Sequence, residues 1–232
     1  MTIAPDKREA LFEGVRVERG ETLVLPALDL ALTERRIGVI GANGSGKSTF
    51  ARLLNGLILP SAGRVAVDGF DTKAETRQVR RRVGFLFQNP DNQIVYPTVG
   101  EDIAFGLRRH KLPKVEVRAR VEAALHRFGL AGFEERLVHE LSGGERQMVA
   151  FAGVMVLEPS WLVLDEPTTL LDLKNTARVM RTIAEIEQSV LLVTHDLDCL
   201  AGFDRVIVFE KGRILHDGTP RDAIAVYKAF HA

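Results

Sequence analysis

The sequence predicts an α/β fold: a mixed, largely parallel sheet core carrying an antiparallel β-subdomain and an inserted helical subdomain. Three observations predict it. Ile37–Ile40, Leu162–Leu164 and Val190–Val193 are short, fully apolar runs, as parallel strands covered on both faces require. Between the first run and a helical stretch lies Gly41-Ala42-Asn43-Gly44-Ser45-Gly46-Lys47-Ser48-Thr49, which fits G-x-x-x-x-G-K-[ST]. From Asn89 to about Leu157 helical spacing replaces strand runs, and after Pro159 the α/β alternation returns. The expected organisation is one domain over 1–232. A core with the β-subdomain covers about 1–88 and 158–232, and the helical insertion about 89–157.

Taken in order, Ala10 to Leu32 alternates loosely and is broken by Gly20 and Pro26, which reads as short antiparallel strands and turns. The strand before the glycine-rich loop is followed by a helix ending near Asn55-Gly56, with Pro60 beyond as a stop signal. Arg64–Gly69 reads as strand and turn, and Arg77–Arg82 as the basic, solvated end of a helix. Val83–Phe87 is a strand ending at Gln88. Pro113 opens a helix whose Val117, Val121, Ala124, Leu125 and Phe128 recur on one face, with Gly129 at the C-cap position. Leu173–Glu187 is helical. Arg205–Phe209 and Arg213–Leu215 form a hairpin around Lys211-Gly212.

Composition excludes several classes. The 31 basic and 31 acidic residues balance, which gives no general reason to expect nucleic acid as a partner. The single cysteine, Cys199, has no intrachain partner for a disulfide. The N-terminal stretch carries Asp6 and Glu9 and lacks an apolar region, so it does not read as a signal peptide. No run approaches the roughly 20 apolar residues of a membrane span. A soluble, cytoplasmic chain is expected, with any membrane role reached through a partner.

The chemistry starts at the loop. Glycines let the backbone curl so that successive N–H groups point at phosphate oxygens, and the helix N-terminus adds its dipole. Lys47 reaches β- and γ-phosphates and Ser48 ligates Mg²⁺. Leu162–Glu166 ends a buried strand in two carboxylates, where open α/β sheets bind ligands. Asp165 is placed to hold Mg²⁺ and Glu166 to polarise a water. Leu141-Ser142-Gly143-Gly144-Glu145-Arg146-Gln147 contains S-x-x-E, a capping box opening a helix that carries Met148, Val149 and Phe151. Two adjacent glycines in a first turn also suggest close approach of something to the backbone. Gln88 and His195 each follow a strand, like the loop and Asp165, which points to a shared site.

These residues, in this order, resemble the ATP-binding subunits of ABC transporters over essentially the whole chain, with a P-loop NTPase core of the RecA-like, ABC type. The resemblance implies that two copies, or one copy and a related ATPase, bind two ATP molecules head to tail. Each ATP lies between one subunit's P-loop and Ser142, Gly143, Gly144 and Glu145 of the other. It implies ATP and Mg²⁺ as cofactors, with Ser48, Gln88 and Asp165 organising the metal. Glu166 acts on the attacking water, His195 contacts the γ-phosphate and stabilises the transition state, Lys47 binds the phosphates, and Asp172 sits in a loop at the dimer contact.

A narrower match lies in Phe87-Gln88-Asn89-Pro90-Asp91-Asn92-Gln93 and Thr98–Gly106, which look like the ATPases of energy-coupling-factor importers. That likeness implies partners in the membrane, a transmembrane coupling subunit and a substrate-binding subunit, and a peripheral place on the cytoplasmic face. Gln88, Asp91 and Gln93 are the expected coupling residues. The short C-terminal part is similar to ATPases of dedicated biotin, cobalt or nickel systems, biotin first. Three departures from the family stand out. Val17-Glu18-Arg19-Gly20 has Arg19 where an aromatic usually stacks on adenine, so Arg19 is a candidate for that contact. Thr169-Leu170-Leu171 precedes Asp172 where small residues are usual, and Thr33–Arg36 lacks a glycine.

Overall fold

The computed structural model describes residues 8–231; Asp6 lies outside them. The described chain forms two compact units. The first comprises the described residues up to Val83, Ser160–Val163, and the chain from Gln188 onward. The second comprises Gly84–Pro159 and Leu164–Glu187.

In the first unit, β1 (Ala10–Arg19), β2 (Thr22–Leu25), β3 (Leu30–Leu32), β5 (Ala62–Val67) and β6 (Phe70–Asp71) build an antiparallel sheet ordered β2-β1-β5-β6, with β3 also paired to β1. The alternation in Ala10–Leu32 is this sheet's inside–outside pattern: Ala10, Phe12, Val15 and Val17 are buried. β1 slips register against β5 between Glu13 and Arg16. Gly14 and Gly63 meet there at φ 56° and 78°, and a Cβ on Gly63 would strike the Gly14 carbonyl.

The second sheet of this unit holds β4 (Arg36–Gly41), β9 (Ser189–Val193), β10 (Arg205–Glu210) and β11 (Arg213–Gly218), in the order β11-β10-β4-β9 and on to β8 (Trp161–Asp165). β10, β4 and β9 are parallel and their apolar runs are buried throughout. β10 and β11 form the expected hairpin. α1 (Lys47–Leu53) follows β4, and α2 (Thr76–Arg82) carries the basic run. Phe50 of α1 stacks between Phe12 of β1 (4.8 Å) and Phe209 of β10 (5.0 Å). Those three rings, all fully buried, fix the helix that opens at Lys47 against both sheets.

β7 (Val83–Leu86) is the other neighbour of β8. The second unit otherwise consists of α3 (Val99–Leu107), α4 (Lys114–Arg127), α5 (Gly143–Met155) and α6 (Leu173–Glu185). α4 buries Val121, Ala124 and Leu125, with Phe128 beside Phe151 of α5 at 5.2 Å. Gly129 takes φ 65° at the end of α4, and Arg178 of α6 donates to the carbonyls of Phe128 (2.7 Å) and Gly129 (3.0 Å). α6 stops at Glu185, two residues before the expected Glu187, where Ile186 turns extended and buries its side chain. The chain closes with α7 (Pro220–Phe230), which has Thr219 as its N-cap.

Candidate functional site

The sequence Gly41–Ser48 folds as the motif demands, a strand running through a tight loop into a helix. Gly41, Gly44 and Gly46 all have positive φ (149°, 78° and 103°). At Gly41 an added Cβ would collide with the Phe209 carbonyl and lie 2.8 Å from Ser45 Oγ. The loop is braced from outside: Gly212, in the β10–β11 turn, donates its N–H to the Ser45 carbonyl at 2.9 Å. A Cβ on Gly46 would come within 3.0 Å of Leu25 and 3.7 Å of the Val24 carbonyl, so the β1–β2 hairpin lies against the loop. Asn43 and Gly44 face solvent.

Lys47 is buried, 6% exposed, and its ammonium donates to the carbonyls of Gly41 (2.7 Å) and Ala42 (2.9 Å). The lysine stem thus reaches back across the loop and its charge rests on the two carbonyls that open it. Ser45 Oγ is buried and has no hydrogen-bond partner among the described residues. An unpaired buried hydroxyl in a glycine-rich loop that also carries Lys47 fits a phosphate.

His195 leaves the same edge of the first unit's sheet. Val39 and Val193 are paired in register, and Thr194 donates its N–H to the Val39 carbonyl at 3.1 Å. His195 is exposed, next to a turn in which Thr194 Oγ1 accepts from Asp196 N–H. Arg19, also in this unit and exposed, ends β1 opposite Thr22, next to the Gly20 turn. Alternation along β2 puts Thr22 and Val24 on one face.

The other expected residues belong to the second unit. Asp165 ends β8 and is 4% exposed. Glu166 follows in a left-handed conformation, φ 52°, which ends the extended line of β8. Thr169 Oγ1 donates to Glu166 Oε2 at 2.9 Å, a partner that the sequence did not disclose. Asp172 caps α6 by accepting from Asn175 N–H at 2.8 Å.

Ser142 and Glu145 form the expected capping box. Ser142 Oγ accepts from Glu145 N–H (3.3 Å), and Glu145 Oε2 accepts from Ser142 N–H and Oγ–H (2.7 Å each). The Ser142 hydroxyl and N–H hold the Glu145 carboxyl below its ordinary value, helped by Arg136. The two glycines behind Ser142 differ. Gly143 has open space where a side chain would stand. A Cβ on Gly144 would overlap the Asn175 carboxamide, 2.6 Å from Nδ2. The close approach expected at both glycines is therefore made at Gly144 by this chain's own α6.

Gln88 leads into a turn in which Asn89 Oδ1 accepts from Asp91 N–H (2.9 Å). Gln93 Oε1 accepts from Phe87 N–H, and Gln93 Nε2 donates to the Ala150 carbonyl, both at 3.3 Å. Asp91 Oδ1 pairs with Arg146 Nε at 3.2 Å. Both anchors lie on α5, the helix that begins at Ser142. Beside them Asp91, Ile94, Tyr96, Pro97, His139 and Arg146 line an open groove of about 450 Å³. No sequence signal marked Arg146 or Ala150 as partners of this turn, because the contacts join segments over 50 residues apart.

This fold and loop define a class, the P-loop ATPases. The chain belongs to the ABC transporter family, whose model matches residues 28–169. It is 52% identical to the biotin transport ATP-binding protein BioM of Rhizobium etli over 95% of this chain and 98% of that one. It is 47% identical to the energy-coupling factor transporter ATP-binding protein EcfA1 of Symbiobacterium thermophilum, over 88% and 73%. Among solved structures it superposes on cbiO1 of Clostridium perfringens, part of the ABC transporter complex cbiONQ. That match has a TM-score of 0.86 at 31% identity, over 97% of this chain and 94% of that one. The expected ABC-type α/β fold agrees with these matches.

Proposed function

We propose that this chain is the ATP-hydrolysing subunit of an energy-coupling-factor importer and that biotin is the transported compound. The observation that carries the reading is 52% identity across nearly the full length of a biotin transport ATPase. Likeness to EcfA1 and cbiO1 supports the importer type independently.

Lys47, the loop N–H groups and Ser45 hold the phosphates of ATP. Ser48, Gln88 and Asp165 offer a hydroxyl, an amide oxygen and a carboxylate, a hard oxygen set that suits Mg²⁺. A Mg²⁺ ion held by these residues would supply charge neutralisation to the phosphates. Glu166, held by Thr169, accepts a proton from the attacking water, and His195 donates to the γ-phosphate as charge builds on it. Such catalysis is positioning and charge stabilisation.

Ser142, Gly143, Gly144 and Glu145 complete the site of a second copy, and Asp172 lies in the loop facing it. Support comes from the open space at Gly143 and from the exposed helix start. The groove beside Asp91 takes a helix of the membrane subunit. Since Asp91 and Gln93 are tied to α5, motion of that helix reaches Ser142. Among the described residues no helix is long and apolar enough to cross a membrane; the likeness to transport ATPases supports a peripheral place on the cytoplasmic face.

The test is purification from native membranes, reconstitution of the co-purifying membrane proteins with this chain in liposomes, and uptake of labelled biotin, cobalt and nickel. ATP-dependent biotin uptake is expected. Uptake of a metal ion alone would overturn the substrate, and the absence of any membrane partner would overturn the importer reading.

A further inference from the structure

Asn175 stands where two parts of the second unit meet. Its backbone N–H is the group that Asp172 caps at 2.8 Å. Its side chain fills the space beside Gly144, where a Cβ would overlap Cγ as well as Oδ1 and Nδ2 of the carboxamide. Contact at Cγ means that relief requires rotation about χ1, not a swing of the terminal amide. The loop that leads to Asn175 is tightly wound: Thr169 N–H donates to the Glu166 carbonyl (3.4 Å) and Leu171 N–H to that of Thr168 (3.0 Å). At its start, Thr169 Oγ1 holds Glu166. A short stretch of chain therefore links Glu166, bonded to Thr169, to the Asp172–Asn175 cap, which reaches across to Gly144.

We infer that Asn175 is a positioning residue: it transmits the state of the loop after Glu166 to the Ser142–Gly144 turn of the same chain. This rests on the reading that Ser142 and Gly143 meet ATP bound by a second copy. Hydrolysis at one site would then alter the turn that completes the other. Gly144 is glycine because Asn175 occupies the place of its side chain, whereas Gly143 is glycine on a face left open for the partner's nucleotide.

The test uses the full chain carrying Glu166→Gln, in which an ATP-bound dimer accumulates, with dimer formation followed by light scattering as ATP is titrated. Asn175→Ala is expected to raise the ATP concentration at half-dimerisation about fivefold, within the range for residues along a coupling path. Binding of a fluorescent ATP analogue to the monomer stays within about twofold of the parent, the limit set by additivity between distant sites. Gly144→Ala abolishes dimerisation, and Gly144→Ala with Asn175→Ala restores it in large part, because the alanine opens the room the new methyl needs. That rescue shows that the two side chains compete for one space, whereas a merely structural Asn175 leaves the Asn175→Ala midpoint within about twofold of the parent. An unchanged midpoint in Asn175→Ala, or a double variant no better than Gly144→Ala, overturns the inference. If the Glu166→Gln parent forms no ATP-dependent dimer, the two-copy site and this inference fall together. A parent dimer with an insensitive Asn175 leaves the site standing and removes only the inference.

Discussion

Thr169 Oγ1 donates a hydrogen bond to Glu166 Oε2 at 2.9 Å, across one turn of a tightly wound loop. The bond orients a carboxylate already set at an unusual angle by its φ of 52°. Thr169→Val removes the donor and keeps the shape. ATP turnover by the reconstituted complex should fall about two- to twelvefold, as expected for loss of roughly 0.5–1.5 kcal/mol, with KM for ATP little changed. Thr169→Ser should retain most activity. An unaltered kcat in Thr169→Val would show that Glu166 is oriented by other contacts.

The Ser142–Glu145 box makes a pH prediction. The folded-state pKa of Glu145 is lowered by the Ser142 hydroxyl and N–H. Its contribution to stability is therefore present above the unfolded carboxylate pKa and lost as pH falls through the lower folded value. Ser142→Ala should cost about 1 kcal/mol near neutral pH. The gap in melting temperature between variant and parent should shrink as pH drops from about 5 to 3, the window given by an ordinary carboxylate pKa near 4. Melts across that range decide it: a constant gap would show that Ser142 stabilises α5 without the carboxylate.

Substitutions at Asp91 should uncouple rather than inactivate. Asp91→Ala breaks the 3.2 Å pair with Arg146 at the groove, while the P-loop lies in the first unit. ATP hydrolysis by the isolated subunit should stay within about twofold, the scatter of independent sites, while partner-stimulated hydrolysis and uptake fall. Gln93→Ala, which loses two hydrogen bonds of 3.3 Å, should behave likewise. Normal uptake in both variants would move the coupling surface elsewhere.

Arg19 is the candidate for the adenine contact. The hairpin that bears it lies on the P-loop through Leu25 and Val24, and Arg19 is opposite Thr22 on its tip. Arg19→Ala should weaken ATP binding by about 0.5–2 kcal/mol, a loss of roughly twofold to thirtyfold. Arg19→Tyr should recover it. Equal affinities for the three chains in a fluorescence titration would rule out stacking at this position.

Much of the molecule was legible in order along the chain. Parallel strands announced themselves as apolar runs because burial on both faces leaves no room for alternation. The P-loop was legible because its φ values need glycine at fixed spacing, and the capping box because its partners are three residues apart. α7 carries readable signals too, Thr219 as cap, Pro220 at the first position and Asp222 beyond. What tertiary structure alone decided is every relationship between distant segments. Sequence spacing says nothing of Asn175 beside Gly144, of Arg146 and Ala150 on the turn after Gln88, or of Gly212 under Ser45. Such contacts depend on which helix faces which, and packing fixes that only once whole faces are buried together. The same two glycines therefore read alike in the sequence and differ in the fold: one is pressed by its own chain, the other open.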